Sequence, residues 1–175
     1  ANPGATIIYN LISSKAVPEV ISENGGTALR SRVGHSYIKS LMAESGAIFG
    51  GEHSGHFYFG DFWRADSGML AALYALAELM ATSKPLSNLL KPYNRYFSSG
   101  EINSKVKDAK KSINLIREKY QGSYQVDELD GLTITADTWW FNLRSSNTEP
   151  LLRLNVEANT EKQMAEIRDT VLALI

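Results

Sequence analysis

The hydrophobic pattern of the sequence changes once, near residue 98, and this change limits what the chain can fold into. Before that point, apolar runs with strand character alternate with helical stripes. After it, several strands follow one another with short turns between them. Alternation is typical of a layered α/β domain, whereas adjacent strands flanked by helices are typical of an α+β domain. We therefore predict two domains, residues 1–97 and 98–175.

The first domain contains candidate strands, helices and helix-terminating glycines in regular order. The predicted strands are Thr6–Asn10, Leu29–Arg32, Ala47–Phe49 and Phe57–Phe59. The predicted helices are Lys15–Glu23, ended by Gly25-Gly26, and a helix containing Ile38, Leu41 and Met42, ended by Gly46. A third helix is expected after Asp66 as its N-cap, with Met69, Leu73, Leu76 and Met80 at helical spacing.

The second domain begins after a Pro-bearing stretch, residues 91–100, which resembles a linker in composition. One helix stripe follows, formed by Val106, Ala109, Ile113 and Ile116. The predicted strands are Thr133–Ala136, Trp139–Leu143 and Leu151–Glu157. The last helix starts with a capping-box pattern, Thr160 to Gln163, and is expected to bury Met164, Ile167, Val171 and Leu174.

Composition narrows the classes of function. A net charge of −1 argues against a nucleic-acid partner, and the longest mainly apolar stretch, Met69 to Ala81, is too short to span a bilayer. The sequence has no cysteine, which fits a reducing compartment, so a cytoplasmic location is expected. The folded pattern begins abruptly at residue 6, which suggests a fragment cut at a domain boundary.

The loop Gly50–His56 carries one carboxylate, one hydroxyl and two imidazoles among three glycines. Glycine lets a backbone approach a ligand closely, and Glu52, His53, Ser54 and His56 can donate or accept hydrogen bonds. This inventory suits vicinal sugar hydroxyls, and Glu52 is expected to be solvated. A polar hairpin turn and a metal site are the alternatives, although short His/Glu metal motifs usually lie on a helix.

The remaining histidine, His35, stands at a strand-to-helix turn. Ligands of α/β sheets bind outside the carboxyl ends of the strands, so this is a candidate ligand-binding edge. Lys39, one helical turn later, can reach the same edge. The alternatives are a capping or solvated histidine and a solvated lysine on the helix surface.

A third polar segment, Arg144–Thr148, follows a predicted strand. Arg144 offers a planar fork of donors for phosphate oxygens, and Ser146, Asn147 and Thr148 add hydroxyl, amide and backbone donors. Arg153 on the next strand is expected to face the same anion. The alternative is an ordinary turn in which Arg144 pairs with Glu149.

Together, these segments resemble the α-D-phosphohexomutase superfamily, of the phosphomannomutase/phosphoglucomutase type. The resemblance rests on Val33–Lys39, Gly51–His56 and Arg144–Pro150 followed by Arg153–Ala158, in the family's order. It implies the family's third and fourth domains, a mixed α/β three-layer domain and a smaller TATA-binding-protein-like α+β domain. The family's phosphoserine motif, Ser-His-Asn-Pro, and its magnesium loop, Asp-Gly-Asp-Gly-Asp, do not occur in these 175 residues.

The resemblance also implies an activity for the full-length protein. That activity is interconversion of mannose or glucose 1- and 6-phosphates through a hexose 1,6-bisphosphate, with Mg²⁺ and the missing domains 1 and 2. Glu52, Ser54 and His53 are implied to bind the sugar, and His35 and His56 to assist proton transfer. The implied phosphate ligands are Arg144, Ser146, Asn147, Thr148 and Arg153. The fragment alone is expected to be inactive, and to hold no metal or cofactor.

Residue types in the sugar loop and the phosphate loop narrow the substrate class. Relatives acting on glucosamine phosphate usually carry Gln in the sugar loop and Ser-Gly-Thr in the phosphate loop. His53 and Ser146-Asn-Thr148 therefore resemble the mannose/glucose enzymes more closely.

The main rival to this hypothesis is a stand-alone sugar-phosphate-binding module without catalysis. The second is a structural or interaction domain whose loops are ordinary turns, and a large apolar patch exposed by the missing domains would mimic such a domain.

Overall fold

The computed structural model describes residues 2–146 and 149–175 of the chain. It divides into two compact units, Ala1–Arg95 and Tyr96–Ile175, each with one five-stranded sheet. Within the described residues, no helix is both long enough and apolar enough to cross a lipid bilayer.

The first unit contains a mixed sheet. Its strands are β1 Thr6–Asn10, β2 Thr27–Ser31, β3 Phe49–Gly51, β4 Phe57–Phe59 and β5 Ala65–Asp66. Its helices are α1 Ala16–Glu23, α2 His35–Ser45, α3 Gly68–Met80 and α4 Leu86–Leu90, followed by a 3-10 turn, Lys91–Tyr93. Strand β1 pairs in parallel with β2 and β3, and β3, β4 and β5 pair antiparallel, in the order β2-β1-β3-β4-β5. The predicted α/β class is confirmed.

The core of the first unit forms where α2 packs on one face of this sheet. Ile8 and Tyr58 from the strands are buried with Ile38 and Met42 from α2. A Cβ at position 50 would lie 2.9 Å from Cγ2 of Ile38. The absence of a side chain at Gly50 therefore lets α2 pack closely on the sheet. It does not serve the approach of a ligand.

The other face of the sheet is less completely covered. Ile7 and Tyr9, which alternate with Ile8 along β1, line a cavity of about 290 Å³ beside Val17 of α1. The two helices α1 and α2 therefore lie on opposite faces of the sheet. This arrangement gives the predicted three layers.

The prediction that Asp66 caps the third helix is wrong. The N-cap of α3 is Ser67, whose hydroxyl oxygen accepts a hydrogen bond from the backbone N–H of Leu70 at 3.2 Å. Asp66 is the last residue of β5 and lies opposite Tyr58 in the sheet. Its carboxylate bonds to His56 and to the backbone N–H of Phe57 in β4, so the hydroxyl of the next residue forms the cap.

The apolar stripe of α3 is exposed, although its spacing suggests a buried face. Met69, Leu73 and Leu76 are all more than half exposed, Met80 is 86% exposed, and α3 contributes no buried residue in the described chain. Helical spacing therefore identifies the helix, but its apolar side chains do not form the core.

The exposure of Met80 gives a test of this arrangement. We expect Met80→Gln to leave the free energy of unfolding within about 0.5 kcal/mol of wild type, because an exposed side chain loses little on substitution. Met42→Gln, the matched control, should lower the melting temperature strongly, since Met42 is fully buried. Thermal unfolding of both variants measures this. A large loss in Met80→Gln would mean that α3 is covered in solution.

The second unit contains an antiparallel sheet. Its strands are β6 Phe97–Lys105, β7 Gln125–Asp127, β8 Leu132–Thr135, β9 Trp139–Ser145 and β10 Leu151–Ala158, in the order β6-β10-β9-β8-β7. Its helices are α5 Ala109–Tyr120 and α6 Glu161–Leu172. Ile116 of α5 and Met164 and Val171 of α6 pack against buried strand residues such as Phe141 and Leu154. The predicted α+β class is confirmed.

Two sequence-based details of the second unit need correction. Residues 97–100, predicted as part of a linker, belong to β6, which pairs with β10 through a bulge. Thr160 caps α6 as predicted, accepting from the backbone N–H of Gln163 at 3.2 Å. The Gln163 side chain does not return to the cap, because its amide donates to the Thr138 hydroxyl at 2.8 Å.

Candidate functional site

The carboxyl ends of the first sheet border a cavity of about 350 Å³. Its lining brings together most of the polar residues singled out in the first domain. The lining residues are Gly34, His35, Lys39, Glu52, Ser54, His56, Tyr58 and Asp66. Carboxylate, hydroxyl, imidazole and ammonium groups therefore face one space large enough for a small polar ligand.

Glu52 is buried, contrary to the expectation that it is solvated. It is 7% exposed, and both carboxylate oxygens accept hydrogen bonds. Oε1 accepts from the Tyr58 hydroxyl at 2.6 Å, and Oε2 accepts from the backbone N–H of Gly34 at 3.0 Å. Burial and this bond to the carboxylate raise the pKa of the Tyr58 phenol well above its usual value. Glu52 therefore fastens the loop to β4 and to the start of α2.

Asn10 connects the loop to β1. It is fully buried, and its Oδ1 accepts from the Ser13 hydroxyl at 2.7 Å and from the backbone N–H of His53 at 3.4 Å. Its amide nitrogen lies 3.5 Å from Oε2 of Glu52. The exposed His53 lines the neighbouring 290 Å³ cavity and not the one described above, so the structure separates it from Ser54 and His56.

His56 forms a close pair with Asp66. Its Nδ1 lies 2.6 Å from Oδ2 of Asp66, whose other oxygen accepts the backbone N–H of Phe57 at 2.9 Å. The hydrogen bond to Asp66 raises the pKa of the His56 imidazole. The bonds from His56 and then from the Phe57 amide lower the pKa of the Asp66 carboxyl. An imidazolium–carboxylate pair is thus favoured at the mouth of the cavity.

The start of α2 supplies the remaining groups. His35 is the first residue of the helix, and its N-cap Gly34 has φ near +132°. His35, Lys39 and Ser54 are exposed and line the cavity. Because the positive end of the helix dipole and Lys39 lie at this edge, the cavity favours electron-rich ligand oxygens.

In the second unit, two arginines face each other across the sheet. Arg144 of β9 pairs directly with Arg153 of β10. Directly opposed like charges are unfavourable unless an anion lies between them. Glu101 of β6 provides this anion: its Oε2 lies 3.0 Å from Nη2 of Arg144, and its Oε1 lies 3.5 Å from Nη1 of Arg153.

Arg144 is only 7% exposed and is paired with Glu101, not with Glu149 as the ordinary-turn interpretation supposes. The turn at Gly131 packs against it, since a Cβ on Gly131 would lie 2.6 Å from Cβ of Arg144. The Nε atoms of Arg144 and Arg153 are buried and have no hydrogen-bond partner among the described residues. Part of the donor capacity of both arginines is therefore unused.

The loop between β9 and β10 is anchored at Ser146. Its N–H donates to the carbonyl of Leu151 at 2.8 Å, and its hydroxyl accepts from the backbone N–H of Glu149 at 3.3 Å. Nη2 of Arg153 lies 3.4 Å from the same hydroxyl, so Arg153 reaches the loop. The predicted ligands Asn147 and Thr148 lie outside the described residues.

Sequence reasoning missed four residues of these sites, namely Asn10, Tyr58, Asp66 and Glu101. Asn10 ends a strand, which is a usable signal, because ligands of α/β sheets lie beyond the strands' carboxyl ends. Tyr58 stands in an aromatic strand and Glu101 directly follows the predicted linker, so neither carries a local signal. The position of Asp66 before an apolar helical stripe indicates a helix cap and hides its contact with His56.

The described residues contain no group of three or more His, Asp or Glu side chains that could hold a metal ion. The pair His56 and Asp66 offers two possible ligands, but they bond to each other. These residues therefore offer no site for the magnesium ion, whose Asp-Gly-Asp-Gly-Asp loop does not occur in these 175 residues.

Both halves of the chain match one enzyme family. Residues 1–96 match the phosphoglucomutase/phosphomannomutase alpha/beta/alpha domain III, and residues 101–174 match the C-terminal domain of the same family. The fold and the two loops thus belong to a single class of protein. The chain is a member of the phosphoglucomutase/phosphomannomutase family and comprises its domain III and C-terminal domain.

Individual relatives agree with this assignment. The chain is 48% identical to a phosphomannomutase of Methanocaldococcus jannaschii, over 98% of this chain and 38% of the relative. It is 40% identical to a phosphomannomutase of Escherichia coli K12, over 99% of this chain and 39% of the relative.

A solved structure gives the same result. The crystal structure of a phosphoglucomutase/phosphomannomutase family protein from Burkholderia thailandensis superposes with a TM-score of 0.84 at 33% identity. The match covers 99% of this chain and 37% of that one. The chain therefore spans less than two fifths of the length of these relatives.

Proposed function

We propose that this chain is the substrate-binding half of a phosphomannomutase/phosphoglucomutase. The full-length enzyme interconverts hexose 1-phosphates and hexose 6-phosphates through a hexose 1,6-bisphosphate. The observation that carries the proposal is the 350 Å³ cavity, where Glu52, Ser54, His35 and His56 meet beside the start of α2. Membership of the family supports it.

In this proposal, the first unit binds the sugar ring. Ser54 is exposed at the cavity and offers a hydroxyl that can donate and accept. Glu52 has two carboxylate oxygens that can accept further bonds beside those from Tyr58 and Gly34. His53, which lines the neighbouring cavity, is proposed to contact the sugar from there. Mannose and glucose phosphates are the proposed substrates.

The second unit holds the phosphate group that is not reacting. Arg144 and Arg153 supply charge and donors, and Ser146 supplies a hydroxyl already directed toward Arg153. Asn147 and Thr148 complete the set in the proposal. Charge-assisted bonds from paired arginines suit a dianion better than neutral donors do. Glu101 keeps both arginines in place before substrate binds.

The chemistry itself requires groups that these 175 residues do not supply. A phosphorylated serine and a magnesium ion are proposed to come from domains 1 and 2 of the same protein. Within this chain, His35 and His56 can accept or give a proton at a sugar hydroxyl. We place the enzyme in the cytoplasm, a proposal supported by the absence of cysteine.

We expect the isolated 175-residue chain not to interconvert hexose 1- and 6-phosphates, because it lacks a phosphoryl-donating serine motif. A coupled mutase assay on the purified chain and on the full-length protein, with matched concentrations, measures this. Weak binding of mannose 1-phosphate without turnover agrees with the proposal. Turnover by the isolated chain, or tight binding with no activity in the full-length protein, would contradict it and favour the stand-alone binding module.

A further inference from the structure

His56 lies at the mouth of the cavity with one ring nitrogen bonded and the other free. Nδ1 is 2.6 Å from Oδ2 of Asp66. Within the described residues, Nε2 makes no hydrogen bond, and the His56 side chain is 54% exposed beside Ser54. The nitrogen that faces solvent and ligand is therefore Nε2.

The Asp66 carboxylate is itself held in place by the sheet. Its Oδ1 accepts the backbone N–H of Phe57 at 2.9 Å. The pairing of β4 with β5 sets Asp66 opposite Tyr58, and the N–H of Ser67 donates to the carbonyl of Phe57 at 2.9 Å. Because the backbone of two strands fixes this carboxylate, it can fix the orientation of the ring bonded to it.

A carboxylate only accepts hydrogen bonds, so the proton between the two groups lies on Nδ1 of His56. In the neutral ring, Nε2 then carries the lone pair. A proton taken from a sugar hydroxyl would bond to Nε2 as the O–H bond breaks. The positive charge left on the ring would be balanced by Asp66. The reverse step would return that proton.

Other charged groups face the same space. Glu52 from the loop also favours the protonated form of His56, with a smaller effect than Asp66. Lys39 from α2 favours the ionised form of Asp66, also weakly. His35 at the start of α2 and the Tyr58 phenol of β4 complete the titratable lining. Asp66 is the group in direct contact with the ring.

We propose that Asp66 is a positioning residue, which holds His56 as the Nδ1-protonated tautomer with Nε2 available to a substrate hydroxyl. This inference rests on the proposed function. The role is distinct from structural support, because the two side chains are 54% and 36% exposed and an exposed ion pair adds little to stability.

The direction of each pKa shift sets the pH range of the pair. Because the pKa of His56 is raised, its pairing contributes fully to folding stability below the ordinary histidine pKa. This contribution is lost as pH rises through the pKa of His56 in the folded chain. Because the pKa of Asp66 is lowered, its pairing contributes fully to folding stability above the ordinary aspartate pKa. This contribution is lost as pH falls through the pKa of Asp66 in the folded chain. The charged pair is therefore complete between about pH 4 and pH 6.5, and persists somewhat beyond both limits.

The test compares Asp66→Asn with wild type by ¹⁵N NMR of the histidine rings across a pH titration of this chain. The Asn oxygen can still accept from Phe57, but its NH₂ group would face Nδ1 and require Nδ1 to accept. We expect the neutral tautomer of His56 to switch to Nε2–H and its titration midpoint to fall. The matched control is Asp61→Asn. Asp61 is exposed and lies in the segment that connects β4 to β5, so this variant should change neither the tautomer nor the titration midpoint of His56.

In the full-length protein, we expect Asp66→Asn to lower kcat by roughly tenfold or more and to change KM less than kcat. Asp66→Glu should recover part of the loss. An unchanged tautomer and midpoint in Asp66→Asn would overturn the inference, as would a Nε2–H ring in wild type, which needs no variant to be read. If wild type has no mutase activity, the proposed function fails, while the NMR result still decides the role of Asp66.

Discussion

In the full-length enzyme, Arg144→Ala should reduce kcat/KM by about ten- to a hundredfold in both directions of the reaction. A bidentate, charge-assisted contact is worth roughly 1.5–3 kcal/mol, which sets this range. The structure adds a second cost. Arg144 is buried and bonded to Glu101, so its loss leaves that carboxylate with Arg153 alone. The melting temperature should therefore also fall.

Two controls separate phosphate binding from stability. Arg144→Lys should not restore kcat/KM, because an ammonium group cannot reproduce the planar fork, although it keeps the charge. Arg168→Ala removes a partly exposed arginine of the same unit, which pairs with the adjacent Asp169, and should leave kinetics unchanged. Steady-state assays below the lowest melting temperature provide the comparison. Full activity in either Arg144 variant would show that this arginine binds no phosphate.

Glu52→Gln should lower both stability and turnover. One amide oxygen cannot serve the Tyr58 hydroxyl and the Gly34 amide equally, and its NH₂ group would face one of these donors. A buried donor left without an acceptor costs about 1–3 kcal/mol, so a clear fall in melting temperature is expected. Turnover should fall at least about tenfold, because the loop and the start of α2 both shift relative to the sugar.

The matched control for Glu52 is Glu44→Gln, on the exposed surface of α2, which should change neither quantity. Differential scanning calorimetry and mutase kinetics of the full-length variants measure the two effects separately. A fall in stability with unchanged kcat and KM would rule out a role in sugar binding. Unchanged stability would contradict the hydrogen bonds described for Glu52.

Strong local patterns are sufficient to predict much of the fold. The strand Thr6–Asn10 and the cap at Thr160 follow directly from apolar runs and capping chemistry. The strand Phe97–Lys105 escapes prediction because serines and Gly100 interrupt its alternation, and only pairing with β10 makes it a strand. Similarly, β7, Gln125–Asp127, is three residues long and has no periodicity to detect.

The candidate sites are likewise only partly predictable from the sequence. Glu52, His56 and Arg144 stand in compact polar motifs whose chemistry is visible without a structure. Their partners are not, since Asp66 and Glu101 reach them only through strand pairing, ten and 43 residues away in sequence. Burial is equally invisible: the neighbours of Glu52 in sequence are polar or glycine, and the groups that cover it come from other elements.

The exposed apolar face of α3 also limits how much this helix contributes to the chain's response to denaturant. The dependence of unfolding free energy on urea concentration scales with the surface that unfolding newly exposes. Met69, Leu73 and Met80 already face solvent, so unfolding α3 adds little apolar area and little heat capacity. The cores around Ile8 and Phe141 therefore set the slope of a urea curve. Loss of α3 would register mainly as lost helical circular dichroism.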